Sequence, residues 1–200
     1  MNIKKLLLVM PLLFSFIVYA DDCTTEYEQE NYEKAFNICT QEAMNSVADA
    51  QFYLGLMYDF GRGIGKDKQK AIFWYEKAAK QNDSGAQYNL GFMYYHGEGI
   101  KQDKQNALYW YTKVAEQGEP MAQYNLASMY DEGDGIKQDK SKAVYWYTKA
   151  AEQGDSFAQY NLALMYDKGD GVKQNISLAY NYFKQSCYQG EKLACDKLEK

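Results

Sequence analysis

The chain has 200 residues, with 22 lysines and arginines against 27 acids and a net charge of −5. An acidic balance with a single arginine, Arg62, gives no electrostatic footprint for nucleic acid or anionic lipid. A lone histidine, His96, argues against a zinc site or a catalytic constellation built on several imidazoles.

At the start, Lys4 and Lys5 precede an apolar run from Leu6 to Val18 that ends at Ala20, before Asp21. A basic start, an apolar stretch short for a membrane span and a small exit residue predict a secretory signal peptide over 1–20, cleaved after Ala20. Asp21 and Asp22 stand before Cys23 where lipid attachment needs small residues, so a lipoprotein is not expected. Cleavage removes two lysines and no acids, which leaves 20 minus 27, or −7, on residues 21–200. No later run is long enough to cross a membrane, and the mature chain is expected to be soluble, in the periplasm or secreted. An exported chain meets an oxidising compartment, so its four cysteines predict disulfides, with three pairings open in principle.

Beyond the leader the chain repeats itself. "AQFYLGLMY" at 50–58 recurs as "AQYNLGFMY" at 86–94, "AQYNLASMY" at 122–130 and "AQYNLALMY" at 158–166, each start 36 residues after the last. A second element, "AIFWYEKAA" at 71–79, keeps the same period at 107–115, 143–151 and 179–187. A period of this size means stacked supersecondary units. In the first element Ala50, Tyr53, Leu54, Met57 and Tyr58 fall at helical spacing; in the second, Ala71, Trp74, Tyr75, Ala78 and Ala79 do the same. One hairpin this short cannot bury its apolar stripes alone, so it must pack on the hairpins before and after it.

The joints agree with helices. Asp67, Asp103, Asp139 and Asn175 are suited to cap the second helices, and Asn82, Gly118, Gly154 and Gly190 to end them in the left-handed conformation. "GRGIGKDKQK" at 61–70 resembles a phosphate-binding loop, but the spacing from its first glycine to Gly-Lys is one residue short and no strand precedes it. Only its first two glycines recur, in "GEGIKQDKQN" at 97, "GDGIKQDKSK" at 133 and "GDGVKQNISL" at 169. Glycines at those places let the chain turn from one helix into the next.

The signature A-x-x-x-L-G-x-x-Y, a G-x-G-[IV] loop, an acidic cap and K-A-x-x-W-Y-x-K-A-A resembles the Sel-like repeat (SLR) family, relatives of tetratricopeptide repeats. Residues 47–190 match it in four consecutive units, with Ala127 and Ala163 at the small glycine position and Tyr182 at the tryptophan position. The resemblance implies an all-α fold, a right-handed α/α solenoid. Residues 21–46 fall in the same register as an N-terminal partial repeat, with Asn31 at the cap position, and 191–200 as a C-terminal capping helix.

Within that frame Cys23 and Cys39 lie symmetrically about Asn31, and Cys187 and Cys195 about Glu191. Residues equidistant from a tight helical turn face each other, whereas the other pairings would join opposite ends of the stack, far beyond disulfide reach. The pairs 23–39 and 187–195 are therefore expected. The second, C-x7-C across a repeat junction, resembles the cysteine-rich secreted branch of the family.

Catalytic constellations are sparse. The resemblance brings one enzyme alternative, because some cysteine-rich members are associated with penicillin binding or β-lactamase activity. This chain holds no S-x-x-K, S-D-N or K-T-G. "DEGDG" and "DKGDG" lack the bidentate glutamate and the spacing of a calcium loop. No cofactor and no metal are implied, and the chain is not expected to be an enzyme. His96 is expected in the loop after a first helix, and Asp131, Asp134, Asp167 and Asp170 in loops.

By analogy with tetratricopeptide repeats, the first helices line a concave groove with Phe52, Tyr88, Tyr124 and Tyr160, and with Asn89, Asn125 and Asn161 beside them. Tyrosine offers a rigid surface with a polar tip, and asparagine pairs with a peptide backbone or bonds within the stack. The groove edge runs from aromatic (Phe60, Tyr95, His96) to mostly acidic (Asp131, Glu132, Asp167, Lys168). A protein partner with an apolar and a basic patch is expected to bind a monomer there. Within the family, some secreted members resemble immunity proteins and others engage host proteins.

Overall fold

The structure, a computed structural model, describes residues 22–199. The expected signal peptide and its cleavage point at Ala20 lie outside the described residues. Those residues form helices joined by short turns: α1 (Cys23–Glu28), α2 (Tyr32–Met44), α3 (Ala48–Phe60), α4 (Lys68–Ala79), α5 (Ser84–His96), α6 (Lys104–Glu116), α7 (Pro120–Glu132), α8 (Lys140–Glu152), α9 (Ser156–Lys168), α10 (Ile176–Tyr188) and α11 (Lys192–Leu198). Each odd helix packs on the even helix after it, and each even helix on the next odd one. The result is an α/α solenoid of first and second helices.

Local chemistry sets the boundaries. The side chains of Asp67, Asp103, Asp139 and Asn175 each accept from a backbone N–H at 3.0 Å, so the orphan donors of four second helices find a partner. Asp83 and Asp155 do the same for α5 and α9 at 2.7 Å. Pro120 opens α7, where its missing N–H is no loss. The first helices α3, α5, α7 and α9 stop at glycines in the left-handed conformation. The second helices end slightly ahead of Asn82, Gly118, Gly154 and Gly190, and those four residues take the positive φ of the turn.

Asn31 departs from expectation. Its side chain does not cap α2 but donates to Glu26 Oε2 at 3.0 Å. Glu26 is buried, and a buried carboxylate must be satisfied; Lys34 at 2.8 Å supplies its other partner.

The core is a period written in small and medium side chains. Leu54, Leu90, Leu126 and Leu162, Met57, Met93, Met129 and Met165, and the alanines at 71, 107, 143 and 179 are all buried. A polar ladder runs through it. Buried Gln51, Gln87, Gln123 and Gln159 donate to the carbonyls of Ala43, Ala79, Ala115 and Ala151. They accept in turn from Gln81, Gln117, Gln153 and Gln189 at 2.6–2.9 Å, so every repeat junction carries the same amide chain.

The glycine loops are joints between repeats rather than phosphate cradles. Gly135 has φ +74°, and a Cβ there would sit 2.4 Å from Lys104 Cβ. The loop of one repeat lies directly on the first turn of the preceding second helix. Beside the last three loops an ion pair closes the joint: Lys68 with Asp59 and Glu98, Lys104 with Asp134, and Lys140 with Asp131 and Asp170.

Both disulfides form as expected. Cys23 and Cys39 have their Cα atoms 4.6 Å apart, and Cys187 and Cys195 have theirs 4.8 Å apart. Each ties one end of the stack, α1 to α2 and α10 to α11.

Candidate functional site: the crevice between α5 and α7

Tyr88, Phe92, Tyr95 and His96 stand at i, i+4, i+7 and i+8 of α5, which brings them to one face of the helix. Together with Tyr111 of α6 and with Asn125 and Ser128 of α7 they line a cavity of about 160 Å³ that opens to solvent. The rings form a continuous wall. Phe92 and His96 have centroids 4.2 Å apart, Tyr95 and His96 4.9 Å, and Tyr88 and Tyr111 5.6 Å. Phe92 is 38% exposed, so the wall faces outward.

Polar groups fix the wall. Asn125 Nδ2 donates to the Tyr88 hydroxyl at 3.1 Å, and the Tyr95 hydroxyl donates to Asp134 Oδ2 at 2.6 Å. That bond, followed by burial, pushes the Tyr95 hydroxyl up to about 12, so it stays a neutral donor. Asp134 is held below the usual carboxylate range by Lys104 first and Tyr95 second. Burial raises the Tyr111 phenol at the floor.

Of the residues expected in the groove, Tyr88, Tyr95, His96 and Asn125 meet in this crevice. Phe52, Tyr124 and Tyr160 hold the register of Tyr88 in the other repeats. They are half-buried, each tilted against a second-helix ring: Tyr75 at 6.1 Å, Tyr147 at 5.8 Å and Phe183 at 5.9 Å. Asn161 donates to the Tyr147 hydroxyl at 3.2 Å, and Asn89 approaches that of Tyr75. All three asparagines thus join one repeat to the one before. Two placements differ from expectation. His96 is the last residue of α5 rather than part of a loop, and Asp131 and Asp167 lie in the last turns of α7 and α9 because those helices run on to the glycine stop.

Phe92, Tyr111 and Ser128 carry no motif that marks them in the sequence, yet a signal for two of them is present there. The position that holds Phe92 and Ser128 reads Leu56, Phe92, Ser128, Leu164 along the repeats. Ser128 leaves open the space that a leucine would fill. Tyr95 also breaks its column, which is otherwise Asp59, Asp131 and Asp167.

In the crevice the Ser128 hydroxyl donates to Glu132 at 3.4 Å, and His96 lines the same cavity. Among the described residues no group of three or more His, Cys, Asp and Glu side chains is arranged to hold a metal ion. The crevice offers ring faces and short polar tips to whatever enters it.

Tandem hairpins of constant length, closed by a recurring glycine joint, define a helical-repeat solenoid. The chain belongs to the Sel1 repeat family, whose repeat matches residues 48–83, 84–119, 120–155 and 156–191. It is 34% identical to a Sel1 repeat protein from Oxalobacter formigenes, with a TM-score of 0.83 over 88% of this chain and 72% of that one. It is 32% identical, also with a TM-score of 0.83 over 88% of its length, to a protective antigen of uropathogenic Escherichia coli strains that displays an SLR fold; it spans 40% of that chain. Cysteine rich protein B of Helicobacter pylori is 27% identical, with a TM-score of 0.52 over 65% of this chain and 93% of that one. No curated protein matches the sequence. No helix among the described residues is long and apolar enough to cross a membrane.

Proposed function

We propose that this chain is an exported, non-catalytic binding protein that engages a protein partner along the concave face of its first helices, as an adaptor or an immunity protein. The crevice between α5 and α7 carries this reading. Residues that break the internal repeat, Phe92, Tyr95 and Ser128, converge there on an open aromatic wall; Tyr95 and Ser128 also bond Asp134 and Tyr147, whereas the exposed ring of Phe92 is one that stacking alone does not ask for. Export is supported by the two disulfides, which belong to chains that meet an oxidising compartment.

The test is capture from an envelope extract by the immobilised protein, beside a Phe92→Ala/Ser128→Leu variant. Phe92 is exposed and Leu164 already stands at the register of Ser128, so the variant should keep its helical circular dichroism. One protein held by the parent and released by the folded variant is the expected result. Equal capture by both would remove the crevice from the function. A chromogenic β-lactam should be left intact; its turnover would point to an enzyme instead.

A further inference from the structure

Three carboxylates cluster at the end of α7, and they are not equivalent. Asp131 is paired with Lys140 and Asp134 with Lys104. Glu132 is exposed, and among the described residues no cation pairs with it. It sits one turn beyond Ser128 and accepts from the Ser128 hydroxyl at 3.4 Å, so it stands at the rim of the crevice that Ser128 lines. Its charge is felt at the Tyr95 hydroxyl across the opening.

An aromatic wall with one uncompensated carboxylate at its lip selects for charge. An apolar side chain seated there would desolvate Glu132 and give it nothing in return. An anion would meet repulsion from Glu132 and from a mature chain of net −7, that is 20 basic against 27 acidic residues over 21–200. A cation gains both the ring faces and the carboxylate. Between the two basic side chains, guanidinium is planar and weakly hydrated, stacks on rings and meets a carboxylate through two parallel N–H bonds, whereas ammonium keeps its water.

We propose that the α5–α7 crevice receives one arginine side chain of the partner, its guanidinium laid against the Phe92 and His96 rings and paired with Glu132. This rests on the reading of the first-helix face as the partner surface and gives that surface a chemical preference. The crevice one repeat on does not share it: Leu164 replaces Ser128 and Lys168 replaces Glu132, so the space is smaller and a lysine stands where the unpaired carboxylate was.

His96 supplies the readout, because an untagged chain has no other histidine. Its imidazole proton signals are followed by NMR while Nα-acetylarginine amide is added at millimolar concentration. Nα-acetylcitrulline amide, uncharged and of the same shape, and Nα-acetyllysine amide are run in parallel. A saturable His96 shift with the arginine probe is expected, weakened about fivefold or more by Glu132→Gln and by the change to citrulline, and abolished by Ser128→Leu. No response to the arginine probe, an equal response to citrulline or lysine, or persistence in Ser128→Leu overturns the inference. The two readings fail separately. If the citrulline probe binds as well and Ser128→Leu blocks both, the arginine preference falls while the crevice remains a binding site. If partner capture is indifferent to Phe92→Ala/Ser128→Leu, the function reading falls.

Discussion

Two successive junctions of this solenoid are built to one plan and finished differently. Between α5 and α7 the crevice shows Tyr95, Asn125 and Ser128; between α7 and α9 the same places hold Asp131, Asn161 and Leu164. The framework beneath is unchanged. Gln123 and Gln159 each donate to an alanine carbonyl at 3.1 Å, and both junctions carry the glycine joint and a lysine ion pair. What stacking requires is repeated at every junction, whereas the surface residues are free to differ. In a protein that contains four copies of its own consensus, a position that departs from its column marks a place where packing is not the constraint.

The largest expected effect breaks the shared framework. Gly135→Ala forces a side chain into left-handed backbone and sets its Cβ 2.4 Å from Lys104 Cβ, so the loop must lift off α6. Strain and lost contact together should cost about 2–4 kcal/mol, read as a fall in the urea midpoint. The lift also moves Asp134, so the Tyr95 bond and with it the crevice wall should loosen. A loss below about 1 kcal/mol would mean that the joint tolerates displacement and does not frame the stack.

A middle-sized effect sharpens the contrast between the crevices. Leu164 is half-buried against the last core cluster, so Leu164→Ser gives up apolar burial and should cost about 1–2 kcal/mol. The converse change, Ser128→Leu, fills space that is open but removes the bond between Ser128 and the buried Tyr147 hydroxyl, so its net cost should stay below about 1 kcal/mol. Equal costs in chemical denaturation would show that Ser128 is itself a packing residue, and would remove the reason for regarding the open crevice as a departure from stacking.

How much of this is legible in the sequence follows from what each feature depends on. The helices, the Asp67, Asp103 and Asp139 caps and both disulfide pairings rest on local identity or on the period, and all are legible in the linear chain. Asn31 could not be read, because its partner is a carboxylate whose burial emerges only when α1 folds onto α2. The glutamine of "AQYNL" is in plain view, but burial of its amide against the preceding repeat is a property of the stack. Tyr88, Tyr95, His96 and Asn125 could be named as groove residues from the resemblance; that they meet on one cavity, with Tyr111 beneath and Ser128 opposite, depends on side-chain volumes across two helices. The column at 56, 92, 128 and 164 carried that information without any alignment beyond the chain's own repeats.

The smallest effect separates the junctions by pH. Asp134 is depressed by Lys104 and then Tyr95, so its contribution is present above the ordinary carboxylate value near ~4 and is lost as pH falls through the lower folded value. Tyr95 runs the other way. Raised to about 12, it contributes below the ordinary tyrosine value near ~10, and that contribution is lost as pH climbs toward 12. Tyr95→Phe removes the alkaline component and part of the acid one, because Lys104 still holds Asp134. The difference in stability between parent and variant should therefore be greatest near neutrality and shrink toward both extremes. It should stay below about 1 kcal/mol, since Asp134 and Lys104 keep about a quarter of their side-chain surface in solvent and salt screens them. Thermal midpoints of the two proteins followed from acid to alkali test this. A gap that stays constant with pH would mean that Tyr95 acts at this junction only as a packed ring, and that its bond to Asp134 adds nothing to the wall of the crevice.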